Sequence, residues 1–256
     1  AAGPGGQRAG APSGGGAAPR PPPPPRGGEG GGGRPRHPRS GSRLMRFDLA
    51  EHDPAFGYKL MTATITPRPI AWVTTLSPAG VANCAPYSFF NAMGHTPPTL
   101  ALGLLADPVR GFKDTARNIL DTGAFVVNLV PDRLAQAMNL TCVDAPPEVS
   151  EVDLADLATA ASTHVTPPRL ADSPVSFECT TLTTLVTGPH QCIVVGLVHA
   201  IHIDEAAVKD AVRGHVDTQA LDLIARMGGA GAYARRPEVF TMNRPRWPLT
   251  PPPAET

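Results

Sequence analysis

TPRPIAWVTT (residues 66–75), SPAG (77–80) and NCAPYSFFN (83–91) stand in close succession, and the rest of the chain is read from them. Pro69–Leu76 is apolar and β-branched, the composition of a strand. Ser77-Pro78-Ala79-Gly80 has Pro at the second position of a four-residue turn. Val81–Phe90 continues as a second strand, so the pair reads as a hairpin. Small polar side chains lie among its aromatics. Such a surface suits a planar, partly polar ligand: hydroxyls and amides for the edges, apolar faces for the rings. Arg68 suits a phosphate on that ligand. A plainer reading stands beside this one, with Thr74 and Thr75 as ordinary strand residues.

Pro98–Leu105 reads as a third, more buried strand. Phe112–Leu120 switches to helical spacing, with Phe112, Ala116 and Ile119 on one face. Asp114 and Thr115 sit where a cap is wanted, and Gly123 where a helix stops. First-turn amides with Lys113 also suit a phosphate. Ala124–Val130 is a buried strand, and Pro131 opens a helix to about Leu140. Residues 144–174 are acidic and weakly patterned, with one short helix at Leu154–Ala161. Ser176–Val186 and Gln191–Ile203 are long strands around the turn Thr187–His190. A helix over Thr218–Met227 precedes the Gly-rich turn Gly228–Gly231. Strands dominate and hairpins recur. The fold class is therefore mainly β with helices, an antiparallel barrel and not a doubly wound parallel sheet.

The 256 residues carry no net formal charge, but that neutrality sums two unlike parts. Residues 1–44 hold 14 of the 26 Gly and 10 of the 31 Pro, with seven Arg against one acid, Glu29. This segment has too little apolar surface to offset its ordering entropy, so a disordered tail is expected. A basic arm on Arg34, Arg36 and Arg39, or a non-native tail before an initiator at Met45, are the alternatives. Residues 45–244 are the expected folded domain, and 245–256 a flexible Pro-rich end. The folded part is mildly acidic with three Lys, which speaks against nucleic acid as a partner. No apolar run reaches the roughly 18 residues of a span, and no apolar core of a signal peptide opens the chain. No membrane partner and a cytoplasmic location are the expectation. Cys84, Cys142, Cys179 and Cys192 show no CxxC spacing and are expected to be buried thiols. No GxSxG, HExxH, P-loop or GxGxxG fingerprint appears. His199 and His202, three apart on a strand, are expected on opposite faces, sharing no metal.

RPIAWVTT (68–75), Gly80, NCAPYSFFNA (83–92) and the Pro97-Pro98 pair resemble the flavin reductase-like FMN-binding proteins of the split β-barrel superfamily. KDTARNI (113–119), AFVVNLV (124–130), HQCIVVGLV (190–198) and MGGAGAYARR (227–236) extend the resemblance in the family's order, over about residues 46–244. The resemblance implies an FMN-binding split β-barrel of antiparallel Greek-key type, and a homodimer with FMN near the subunit interface. It implies cofactor contacts from Trp72, Thr74, Thr75, Asn83, Ala85, Ser88, Phe89 and Asn91, partly through backbone N–H groups of 85–91. It places Arg68, Lys113, Asp114 and Thr115 near the phosphate, with Asn118 following on the same helix. His190 matches a family His near the nicotinamide, and carries the second reading of a turn residue at a strand end. Tyr233 lines the pocket or belongs to the core. Cys84 and the Gly94-His95-Thr96 segment depart from the family pattern.

The implied activity is that of an NAD(P)H-dependent flavin reductase. Flavin accepts hydride from NADH or NADPH, with FMN or FAD as the flavin, and passes on to a partner such as a flavin-dependent monooxygenase. An FMN-binding electron carrier or sensor, a cofactor-free interaction protein, and a relative binding haem or pyridoxal phosphate are the other readings.

Overall fold

The ladder that organises the molecule begins where β1 (Ala71–Leu76) meets β2 (Ala82–Tyr87), antiparallel from Ala71–Tyr87 to Leu76–Ala82. This computed structural model describes residues 44–236 and 238–247. The chain divides into two compact units, Ala1–Phe47 and Asp48–Thr256. Residues 44–47, the described part of the first, form no helix or strand. The expectations of a disordered tail over 1–44 and a flexible end over 245–256 lie outside the described residues except at 44 and 245–247.

In the second unit, α1 (Pro54–Thr64) precedes the hairpin. After it come β3 (Phe90–His95), β4 (Pro98–Asp107), β5 (Gly111–Phe112), α2 (Asp114–Thr122) and β6 (Ala124–Asn128). Then follow α3 (Ala135–Leu140), α4 (Glu151–Leu154), β7 (Thr159–Ala160), β8 (Arg169–Leu170), β9 (Val175–Gly188) and β10 (Gln191–Ile203). Short pairs β11 (Val208–Asp210) with β12 (His215–Val216), and β13 (Ile224–Arg226) with β14 (Tyr233–Arg235), complete the order. The main sheet runs β2-β1-β6-β9-β10-β4-β3 with β5 beside β4, antiparallel at every pairing. The mainly β, antiparallel reading of the sequence holds.

The hairpin turn closes as its composition requires. Gly80 N–H donates to the Ser77 carbonyl at 2.8 Å, and Gly80 takes φ +82°, a conformation open to glycine. β1 is buried on both faces. Ala71 and Val73 join the interior of the curled sheet with Leu100, Leu102, Leu104, Phe125, Val127 and Val194, while Ala116 and Ile119 of α2 pack against it. Trp72 points the other way, into a second cluster with Ile70, Cys84, Val130 and Met138. The two ends of the sheet meet where the Phe89 carbonyl, in the bend between β2 and β3, accepts the Gly103 N–H at 2.7 Å. A Cβ at position 103 would come within 2.9 Å of the Phe89 Cβ, so this approach demands glycine.

Several expectations are corrected. Thr218–Met227 is not a helix: Leu221 and Ile224 enter different apolar clusters, and Asp222 has φ +49°. Instead Arg226 holds the Gly-rich turn by donating to the carbonyls of Gly229, Ala230 and Ala232. The helix expected at Leu154–Ala161 lies earlier, at Glu151–Leu154, capped by Ser150 and broken by Asp156 at φ +49°. Helix α1 carries the Asp53 cap and Pro54 first-turn signals, which the sequence reading passed over. Lys113, not Asp114 or Thr115, is the N-cap residue of α2, while Gly123 ends it at φ +70° as expected. A bulge at His199 shifts the β9–β10 register. It brings His199 onto Thr180 and His202 onto Glu178, both on one face, correcting the expected alternation. Among the described residues no group of three or more His, Cys, Asp or Glu is placed to hold a metal. No helix among them is long and apolar enough to cross a membrane.

Candidate functional site

Two clefts adjoin along the outer part of β2, sharing Ala85, Tyr87, Lys113 and Val143. The first, of 280 Å³, is polar. Its walls include Asn83, Arg110, Lys113, Arg117, Asp144 and Glu151. The start of α2 opens onto it, so the unpaired amides of a helix first turn lie beside three cationic side chains. The second, of 340 Å³, is more apolar, with Tyr58, Pro86, Phe89, Leu105, Cys142 and Val143 in its wall. Tyr58 of α1 and Phe89 approach at 6.0 Å between ring centroids, a tilted aromatic pair at its lip.

A buried polar network supports the first cleft. Glu151, 4% exposed, accepts from Asn83 Nδ2 at 2.9 Å and from the Cys84 N–H at 3.1 Å. Asn83 Oδ1 accepts from the hydroxyls of Thr115 at 2.5 Å and Thr75 at 3.3 Å. Asn118 Nδ2 donates to Thr75 Oγ1 at 3.0 Å. The network ties β1, β2, α2 and α4 together, so each member is fixed by its neighbours. Burial, tempered by a Thr115 hydrogen bond, pushes the Tyr87 phenol up to about 12, which keeps it a neutral donor. Burial also pushes the Cys84 thiol well up, with the Glu151 charge adding to it.

The expected site residues separate into groups. Asn83, Ala85, Ser88, Phe89, Lys113, Asp114 and Thr115 line one or both clefts. Thr75 and Asn118 stand behind them in the network. Trp72 is fully buried on the far side of β1 and donates its indole N–H to Thr141 Oγ1 at 2.9 Å. Thr74 is also fully buried, donating to the Pro168 carbonyl at 2.6 Å. Arg68 is 7% exposed and lines neither cleft. Its guanidinium donates to the carbonyls of Thr62, Ile65 and Met227 and to Ser88 Oγ. The expected phosphate fork is thus occupied internally, and Arg68 braces Ser88 instead. Asn91 lines a separate apolar groove with Pro67, Pro69, Phe90, Leu129 and Phe177. His190 is exposed at the β9–β10 turn and lines neither cleft; its carbonyl accepts the Ala106 N–H. Residue 86 is a proline without an N–H, so the expected run of backbone donors over 85–91 is interrupted. Cys142 is exposed in the second cleft, unlike the three buried thiols. Tyr233 is 39% exposed and stacks under Arg226, belonging neither to these clefts nor to the core.

The sequence reading missed Tyr58, Tyr87, Arg110, Arg117, Asp144 and Glu151. Arg110 and Arg117 flank Lys113 at three and four residues, a legible cationic spacing. Nothing in the sequence marks Asp144 or Glu151, which reach the cleft from the connection after α3 and from the start of α4.

The chain matches the family described as flavin reductase like domain over residues 62–219. It is 41% identical over 204 residues to an uncharacterized protein of Deinococcus radiodurans, covering 77% of this chain and 88% of that one. Nitrilotriacetate monooxygenase component B from Bacillus cereus superposes with TM-score 0.74 at 30% identity, over 78% of this chain and all (100%) of the other. The 2-nitrobenzoate 2-nitroreductase NbaA of Pseudomonas fluorescens gives TM-score 0.73 at 29% identity, over 80% and 99%. The hairpin, the curled antiparallel sheet and these matches agree: this chain belongs to the flavin reductase-like family, with its split-barrel fold.

Proposed function

We propose that the joined clefts bind FMN and that the chain is an NAD(P)H-dependent flavin reductase. The observation that carries this is the pairing of a polar cleft, which holds three cationic side chains beside a helix N-terminus, with an apolar, aromatic-lipped one along β2. The donor set fits the group. Lys113, Arg110 and the first-turn amides of α2 suit a phosphate, and Asn83 and Thr115 suit the hydroxylated chain. Tyr58, Phe89, Leu105 and Val143 suit a planar ring and exclude water from one side of it. FMN, when bound, supplies the hydride-accepting chemistry. The protein's share is to bind and orient, which agrees with a cleft lacking a nucleophile–base pair. Arg68 holds Ser88, and the Glu151–Asn83–Thr115 chain holds the start of α2.

The matched monooxygenase component supports delivery of reduced flavin to a monooxygenase. We also propose a homodimer, with the 350 Å³ apolar groove around Phe90, Leu129 and Phe177 as a face offered to the second copy. The test is the absorption spectrum of the purified chain with added FMN, before and after anaerobic NADH or NADPH. Bound flavin that bleaches with either donor is the expected result and names the donor. Bound flavin that does not bleach points to a carrier, and no binding overturns the reading.

A further inference from the structure

Resting on the FMN reading, we propose that Asp144 is an internal competitor for the ligand's phosphate. It lowers the chain's preference for FMN over riboflavin and so keeps the flavin exchangeable. The cations of the polar cleft are already answered by carboxylates. Arg117 pairs with Asp114 of its own helix at 3.0 Å, whereas Asp107 is taken up by the backbone N–H groups of Val109 and Arg110. Asp144 differs in origin. It reaches across from the connection between α3 and α4 to meet Lys113 Nζ at 2.5 Å and Arg110 at 3.8 Å. The Lys113 hydrogen bond and charge hold its carboxyl below the usual carboxylate range, so it is an anion at neutral pH.

Val143, Asp144, Ala145 and Pro147 of the same connection wall the polar cleft, and Cys142 and Val143 wall the apolar one. One carboxylate therefore occupies the cation best placed for phosphate and ties down the segment bordering both clefts. Lys113 and Asp144 are more than half exposed, at 59% and 55%, so the pair is weak enough for a phosphate dianion to displace. A phosphate must break that pair and face the freed carboxylate. A flavin without phosphate does neither. The consequence is weaker FMN binding than the three cations alone would give, as suits a flavin that must leave after reduction.

The experiment measures FMN and riboflavin dissociation constants by fluorescence quenching for the full chain and for Asp144→Asn. The expected result is FMN binding tightened about three- to tenfold, riboflavin binding unchanged within about twofold, and a gain that shrinks with added salt. Weaker FMN binding in Asp144→Asn, or equal shifts for both flavins, overturns the proposal, since Asp144 would then be holding the cleft in shape. If neither flavin binds either protein, the FMN reading fails by itself. The competitor role is then judged with inorganic phosphate as probe, followed by the amide shifts of Asp114 and Thr115. Tighter phosphate binding in Asp144→Asn supports it, and unchanged binding overturns it. Amide exchange of the ligand-free chain adds a readout without flavin. Exchange over residues 142–145 is expected to quicken in Asp144→Asn, and unchanged exchange overturns the ion pair as a tie.

Discussion

Arg68 and Lys113 both looked like phosphate ligands, and their surroundings give them opposite tasks. Arg68 spends its donors on three carbonyls and a hydroxyl in a nearly closed site. Arg68→Met strands those buried acceptors and is expected to cost about 3 kcal/mol of stability in urea unfolding, leaving the ratio of FMN to riboflavin affinity unchanged. Lys113 is exposed at the rim and holds its head group in the cleft. Lys113→Ala is expected to weaken FMN about tenfold in a fluorescence titration while sparing riboflavin. A loss of phosphate discrimination in the Arg68 variant would reverse this division. Residue type alone could not separate the two, because the burial of a guanidinium and part of its acceptor set come from chain segments distant in sequence. Met227 is one such acceptor, more than 150 positions from Arg68. The motif 113–115 was legible because its cation, its helix start and its small polar residue are neighbours in the chain.

At the scale of elements, two connections bear the most weight. Gly103 lets β4 touch the Phe89 bend, and Gly103→Ala is expected to destabilise the fold by about 1–3 kcal/mol and loosen the aromatic lip. Thermal unfolding and the riboflavin affinity would show both effects. The second connection is Glu178 of β9, fully buried, which accepts from the Thr163 and His164 N–H groups, the Thr163 hydroxyl and His202. Burial pushes this carboxyl up, but those donors outweigh it and hold it down to about 2. Its folded value lies below its unfolded one, so the stabilisation is complete above the ordinary Glu range and fades as pH falls toward 2. Glu178→Gln is expected to lose about 2–3 kcal/mol at pH 7 and much less near pH 3, read from urea midpoints. The strands themselves were legible, since β1, β4, β6 and the long β9–β10 pair are apolar, β-branched runs between turn residues. The misplaced helices failed for a local reason. Asp156 and Asp222 adopt left-handed backbone that their side chains tolerate but a pattern of apolar spacing does not reveal.

For the whole molecule, the apolar groove and the exposed strand β3 predict self-association through that face. Sedimentation is expected to give twice the chain mass of 26.7 kDa, and Phe90→Asp to shift it toward the monomer. A monomer in the parent protein would remove the homodimer from the proposal. The two tryptophans lie at opposite extremes: Trp72 is fully buried, and Trp247 is 88% exposed. The Trp72 indole donates to Thr141, and Thr141 lines the apolar cleft. Iodide should therefore silence the red emission of Trp247 and leave the blue emission of Trp72. If the proposed cleft takes the flavin, the fold carries an optical reporter one side chain away from it, able to time arrival and departure without any label.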